Sequence, residues 1–289
     1  MKRATLLTLT ALAMLAFAAN SVLCRLALRH TQVDPASFTA IRLASAALVL
    51  WLIVRMRAPG APAGGNWPSA LALFVYAAAF SFAYTGLQAG MGALILFGSV
   101  QATMVGIGMW RGERPGLLQA GGMAIALAGL AGLLLPQGAV PAPPPGAAAL
   151  MMAAGAAWGV YSLRGRVVPH ATAATQGNFA RTLPMAAVLV LASLSSLRFD
   201  PAGAALAVAS GALASGMGYV VWYTVTPRLK AAHAATVQLS VPLIATAAGV
   251  LLLGETMSPQ QLLAGAAIIG GIWLSLAKRG PKPAPAAPR

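Results

Sequence analysis

Apolar residues run along this chain in blocks long enough to cross a bilayer, interrupted by short clusters of charge, proline and glycine. A helix needs about 20 consecutive apolar residues to span the hydrocarbon. Punctuating the chain at charges and at Pro/Gly clusters gives ten such runs. They cover 5–28, 36–54, 68–88, 91–110 and 116–135 in the first half, and 146–163, 174–196, 202–224, 233–253 and 259–277 in the second. The pattern predicts an all-α membrane protein of ten transmembrane helices.

Composition supports the bilayer as the solvent. Hydrophobic residues make up 59% of the chain and charged residues 8%, against about 25% charged in a soluble domain, too few to cover a water-facing surface. The formal charge of +15 would suggest nucleic acid for a soluble protein. Here the Lys and Arg stand singly or in pairs between apolar runs, with no basic face interleaved with aromatics. That pattern argues against nucleic acid and for the lipid bilayer, with its anionic headgroups, as partner. One cysteine, Cys24, precludes an internal disulfide, and no Cys/His/carboxylate spacing suits a metal, so neither metal nor other cofactor is expected. The start, "MKRATLLTLTALAMLAFAAN", imitates a signal peptide, but its apolar run continues through "SVLCRLAL". It reads as an uncleaved first helix, with cleavage after about residue 19 the alternative.

Charge placement orients the helices. With the N-terminus inside, the cytoplasmic segments collect Lys2, Arg3, Arg55, Arg57, Arg111, Arg114, Arg164, Arg166, Arg228, Lys230, Lys278, Arg279, Lys282 and Arg289, while the other side receives Arg29 and Arg198. Positive charge favours the cytoplasm, which predicts a multi-pass protein of a bacterial-type inner membrane with both termini cytoplasmic. The proline-rich "PQGAVPAPPPG" and the tail "RGPKPAPAAPR" cannot continue helices. The expected organisation is a first five-helix unit at 1–138, an external linker at 139–145, a second unit at 146–279 and a disordered tail at 280–289.

The two units align. Laying 77–114 over 219–256 without a gap pairs Leu87 with Leu229, Ala89 with Ala231, Ala93 with Ala235, Gly112 with Gly254 and Glu113 with Glu255. After a two-residue insertion Pro115 meets Pro259 and Gly121 meets Gly265; upstream, "AANSV" meets "AAWGV", and Arg42 of "FTAIR" meets Arg181 of "GNFAR". Five helices per unit is odd, so the second unit enters the membrane upside down. This is the inverted repeat of many secondary transporters, whose substrate site lies near the midplane between halves.

These segments, together with "VPLIATAAGVLLLGETMSPQQLLAGAAIIGGIWLSL" and "GERPGLLQAGGMAIALAG", resemble the EamA-type carriers of the drug/metabolite transporter superfamily, and within it the YddG-type exporters of amino acids. The resemblance implies two inverted five-helix halves around a central cavity and movement of small metabolites, often outward. The family-like Pro242 faces Val100 in the aligned first half, a departure from symmetry at the expected hinge.

Polar and aromatic groups at membrane depth are the candidate substrate contacts, because they are costly in lipid. Asn20 and Gln101 fit either a substrate or a neighbouring helix. Trp158 and Tyr161 lie on the inner half of the sixth run, Tyr76, Phe80 and Tyr84 recur at i, i+4, i+8 on the third, and Tyr219, Trp222 and Tyr223 lie on the eighth. Such stripes serve packing, interface anchoring or a cavity wall. Arg42 and Arg181 sit inside helices, Arg42 toward the outer mouth and Arg181 toward the inner one; each fits a substrate carboxylate or a clasp between helix ends. Gln238 and Ser240 lie near Pro242, the expected hinge, where they can satisfy backbone groups freed by the missing N–H.

The four acids, Asp34, Glu113, Asp200 and Glu255, fall at helix ends, which disfavours proton-coupled cation efflux through a membrane-embedded carboxylate. Gly112 and Gly254 end their helices in left-handed geometry, and Glu113 and Glu255 then suit the positive ends of the helices that follow. No nucleophile stands beside a base, so an enzyme is not expected. The expected function is alternating-access export of amino acids, with a monomer or homodimer as the unit. A flippase for lipids or lipid precursors and a structural membrane subunit are the alternatives.

Overall fold

A computed structural model describes residues 1–57, 64–112, 115–135, 142–165, 168, 170–229 and 237–276. Glu113, the first part of the proline-rich linker and the tail at 280–289 lie outside the described residues. Among the described residues ten helical rods follow one another: α1 (Arg3–His30), α2 (Pro35–Arg57), α3 (Trp67–Ala83), α4 (Ala89–Trp110), α5 (Leu117–Leu134), α6 (Pro145–Gly165), α7 (Ala171–Ala192), α8 (Pro201–Arg228), α9 (Ser240–Leu253) and α10 (Pro259–Leu276). Seven of the described helices are long and apolar enough to cross a membrane: α1, α2, α4, α5, α6, α8 and α10. The expected ten spans are thus seven by length and composition. α3 and α9 are apolar but only 17 and 14 residues long, and α7 is diluted by Gln176, Asn178 and Arg181.

Local chemistry sets the ends. Asn66 accepts from the Ser69 N–H to cap α3, and Asp200 accepts from Ala202 and Gly203 to cap α8. Ser258 and Gln261 exchange side-chain and backbone hydrogen bonds at the start of α10, a reciprocal capping box. The third run stops at Ala83, short of the expected 88, because Thr85 and Gly86 turn the chain back into α4. Gly112 and Gly254 adopt φ of +88° and +64°, a region that costs a residue with a Cβ but not glycine.

Two features depart from the sequence reading. The apolar run containing Pro242 is broken at Leu239, and Pro242 occupies the first turn of α9, where its missing N–H would have no intrahelical partner in any case. It is therefore no mid-helix kink. Second, Ala209–Met217 within α8 is wound as a π-helix, which the apolar pattern gives no sign of.

Packing builds two triads, α3–α4–α6 and α8–α9–α1. α2 lies against α7 and α8, and α5 pairs with α10, touching the rest mainly through α4. At one end of the bundle the α1–α2 and α7–α8 turns clasp each other. Asp34 accepts from Ala36 and Ser37 of its own helix and from the Arg198 N–H, while Asp200 accepts from the Gln32 N–H.

Two tests follow from this packing. A Cβ on Gly271 would lie 2.5 Å from backbone atoms of Gly122 and Ala126, whereas one on neighbouring Gly270 meets nothing within 4 Å. Gly271→Ala is expected to part α5 from α10 and cost about 1–3 kcal/mol, and Gly270→Ala to leave thermal melting of the purified protein unchanged or raised. Burial pushes the Asp34 carboxyl up, but the Ser37 side chain and the N–H groups of Arg198, Ser37 and Ala36 outweigh it and hold it below 3.8. A depressed carboxylate stabilises above its unfolded value and loses that contribution as pH falls through the folded one. Melting temperature should therefore drop below pH 3.8, and Asp34→Asn should flatten that part of the profile.

Candidate functional site

Between the two triads lies a cavity of about 1080 Å³. Its lining on α4 is Phe97, Val100, Gln101 and Met104, spaced i, i+3, i+4, i+7, one helical face. Trp158, Tyr161 and Ser162 come from α6, Tyr219, Trp222 and Tyr223 from α8, and Gln238 and Leu239 from the break before α9. The lining continues to Arg57 at the end of α2, Gly165 at the end of α6, His170 before α7 and Pro227 near the end of α8. The cavity thus reaches one end of the bundle, the end opposite the Asp34 and Asp200 clasp.

Its inner wall is aromatic. The Trp158 ring stacks on Tyr219 at 5.5 Å and 17°, with Tyr161 at 5.5 Å on another side. Tyr219 continues to Tyr223, and Phe17 of α1 and Phe179 of α7 brace it from behind. Tyr76 of α3 lies 4.9 Å from Trp158 and joins the wall to a polar cluster. In that cluster the Tyr76 hydroxyl accepts from Asn20 Nδ2 at 3.2 Å and from Arg42 Nη2 at 3.1 Å, and Ser210 donates to Asn20 Oδ1 at 2.7 Å. Asn20, Arg42 and Tyr76 are all buried.

α8 can serve both layers because of its π segment. Ser210 and Tyr219 are nine residues apart, and at about 100° per residue a regular α-helix would turn them to opposite faces. The wider π turns bring Ser210 against Asn20 and Tyr219 against Trp158 along one side. Gly211 permits this, since a Cβ there would collide with the Arg42 carbonyl and the Ser45 hydroxyl.

The far end carries an ion pair. Arg25 Nε donates to Glu255 Oε1 at 3.0 Å, Arg25 Nη1 donates to the Tyr84 carbonyl at 3.0 Å, and Glu255 Oε2 accepts from the Ala89 N–H at 2.8 Å. Glu255 therefore serves the N-terminus of α4, not of α10 as its position in the sequence suggests.

The sequence candidates divide accordingly. Gln101, Trp158, Tyr161, Tyr219, Trp222 and Gln238 line the cavity. Asn20, Arg42, Tyr76 and Phe80 form the layer behind it, with Phe80 edge-on to Tyr84. Tyr84 belongs to the far end, where its hydroxyl donates to the Ala89 carbonyl. Arg181 donates to the carbonyls of Gly64 and Gly177, clasping the α2–α3 connection to α7. Ser240 donates to the Val237 carbonyl at the helix break. Tyr223, named with Tyr219 and Trp222 on the eighth run, also lines the cavity, and Phe97 and Met104 are lining residues the sequence reading did not select. The α4 face carrying Gln101 was a legible signal for Phe97 and Met104.

Comparisons with known proteins agree in kind. Residues 146–277 match the EamA-like transporter family. Over 278 residues the chain is 54% identical to the uncharacterized protein PA1977 of Pseudomonas aeruginosa, covering 96% of each chain. A solved structure described only as "Crystal structure of protein" superposes with a TM-score of 0.64 at 20% identity, covering 95% of this chain and 98% of that one. That likeness speaks for the fold alone. The all-helical bundle, its central cavity and the family match together lead to one assignment: residues 146–277 form an EamA-like transporter family domain.

Proposed function

We propose that the protein exports small amphipathic metabolites, amino acids with aromatic or other apolar side chains foremost, by alternating access across a bacterial inner membrane. The observation that carries this reading is the aromatic cavity reaching one end of the bundle while the other end is held shut by Arg25 and Glu255. Its volume of about 1080 Å³ lies just above the range of small-molecule sites, roughly 300–1,000 Å³. Stacked rings offer an apolar side chain a low-entropy surface, and Gln101 adds an amide near its middle. The open end carries Arg57 and Arg164, so positive charge favours it as cytoplasmic.

The packing supports an inverted repeat and a rocking motion. Exchanging each helix with the one five places along carries α3–α6 into α8–α1, α4–α6 into α9–α1 and α2–α8 into α7–α3, and α2–α7, α4–α9 and α5–α10 into themselves. The triads so related are the natural rigid bodies, and opening the Arg25–Glu255 end while closing the cavity mouth would complete a cycle.

Counterflow into proteoliposomes with a panel of amino acids, organic acids and nucleosides tests the function. Exchange of an apolar amino acid is expected, with Trp158→Ala and Gln101→Ala each lowering the rate at least tenfold; lipid scrambling without solute exchange would support a flippase instead. Glu255→Gln tests the closed end. A single-cysteine reporter near Thr85, in a Cys24→Ser background, should react faster with a membrane-impermeant thiol reagent from outside when the ion pair is lost. Unchanged reactivity would show that the pair does not hold that end shut.

A further inference from the structure

Among the described residues, Arg42 is the candidate whose surroundings are chemically incomplete. It is 2% exposed, and of the five N–H donors of its guanidinium, those on Nε and Nη1 have no acceptor. Nη2 donates to the Tyr76 hydroxyl. The guanidinium carbon lies 4.9 Å from the Phe80 ring centroid and 5.3 Å from that of Tyr76, so aromatic faces are its main company. Among the described residues no carboxylate pairs with it. Asp34 and Asp200 are engaged by backbone N–H groups, and Glu255 by Arg25. A buried cation without a counter-charge is destabilising, and cation–π contact offsets only part of that cost.

Its aligned counterpart shows what a satisfied arginine looks like in this bundle. Arg181 spends its Nη1 on two carbonyls and ties a connection to a helix. Arg42 ties nothing of the kind. It stands one ring behind the cavity: Tyr76 touches it on one side and faces Trp158 at 4.9 Å on the other. Arg42 also lies toward the closed end, near the start of α2, whereas Arg57, the guanidinium that lines the mouth, is roughly 22 Å further along the same helix at 1.5 Å per residue.

We infer that Arg42 is the counter-charge for a carboxylate on the transported solute, engaged when Tyr76 moves away from Trp158 and the cavity deepens toward the closed end. The inference rests on the transport reading above and narrows its substrate class to solutes that carry a single carboxylate on an apolar or aromatic body. One buried positive charge matches a carboxylate; a phosphate dianion would leave net negative charge in the same place. In this sequence the solute's apolar part stacks on Trp158 and Tyr219 first, and its carboxylate then replaces the missing acceptors at Nε and Nη1. Tyr76 passes from covering the guanidinium to bordering the bound carboxylate.

The test compares two probes of the same shape and different charge, 3-phenylpropionate and 3-phenylpropionamide. Each is added to the purified full chain with thermal melting as the readout, and each is offered in proteoliposome counterflow. Wild type should respond to the carboxylate at a concentration at least tenfold lower than to the amide. Arg42→Gln should lose that preference and respond to both probes as wild type does to the amide, while Arg42→Lys should retain part of it. If Arg42→Gln does not fold, Arg42→Met, which leaves no buried polar group, takes its place. Equal responses to the two probes in wild type, or a preference that survives in the folded Gln or Met variant, would overturn the assignment. Counterflow without charge preference sinks this inference and leaves the transport reading standing. Charge-selective binding lost in the variant, with no counterflow of any solute, sinks the transport reading and leaves the counter-charge.

Discussion

The carboxylate of Glu255 governs the shape of this molecule. One oxygen takes Arg25 of α1, the other takes the first N–H of α4, and Arg25 in turn holds the carbonyl at the end of α3. Four helices are fixed at one end by a single anion sitting where α4 presents its positive pole. A largely buried ion pair repays its desolvation only when its hydrogen-bonding capacity is well used, and here both oxygens are occupied. The cavity lining stops short of that end and continues to the opposite one, so the space between the triads reaches one end of the bundle.

Most of the helices were legible in the sequence because the bilayer allows so little else. Long apolar runs must be helical to satisfy their own backbones, so the boundaries read from charge and proline fall within a few residues of those observed for most helices. The misreadings share one physical origin, which is that sequence spacing carries no information about long-range partners. Glu255 was placed at the helix that follows it in the chain, yet its partners are 230 and 166 residues away. Pro242 is expected as a hinge inside a continuously apolar run, but the chain breaks at Leu239 and leaves the proline in a first turn. The π segment of α8 is invisible to a periodicity argument that assumes 3.6 residues per turn.

The site was legible by residue type and illegible by layer. Aromatic stripes on the third, sixth and eighth runs do converge, with Tyr76, Trp158 and Tyr219 in one stack. Nothing in the sequence separates Trp158, which faces the cavity, from Tyr76, which stands behind it, since both are large amphipathic rings at similar depth. Arg42 and Arg181 were likewise indistinguishable, being aligned residues in aligned helices. Their different fates depend on what lies opposite: carbonyls of a connecting segment for Arg181, two aromatic faces for Arg42.

That difference gives the bundle a direction. A duplicated scaffold whose halves stayed identical would present the same chemistry toward both ends, and a solute would meet a symmetric path. Here the aligned positions of α1 and α6 carry Asn20 and Trp158, so one half contributes a hydrogen-bonding cluster and the other an aromatic wall. α8 reaches both, through Ser210 on one side of its π segment and Tyr219 on the other. The path from the cavity mouth toward the closed end therefore runs from apolar stacking to polar and cationic surroundings. The same π turns that align Ser210 with Tyr219 also bring Gly211 against the backbone of α2 at Arg42. Any rewinding of that segment would shift the wall and the guanidinium together, so the two layers are coupled through a single helix.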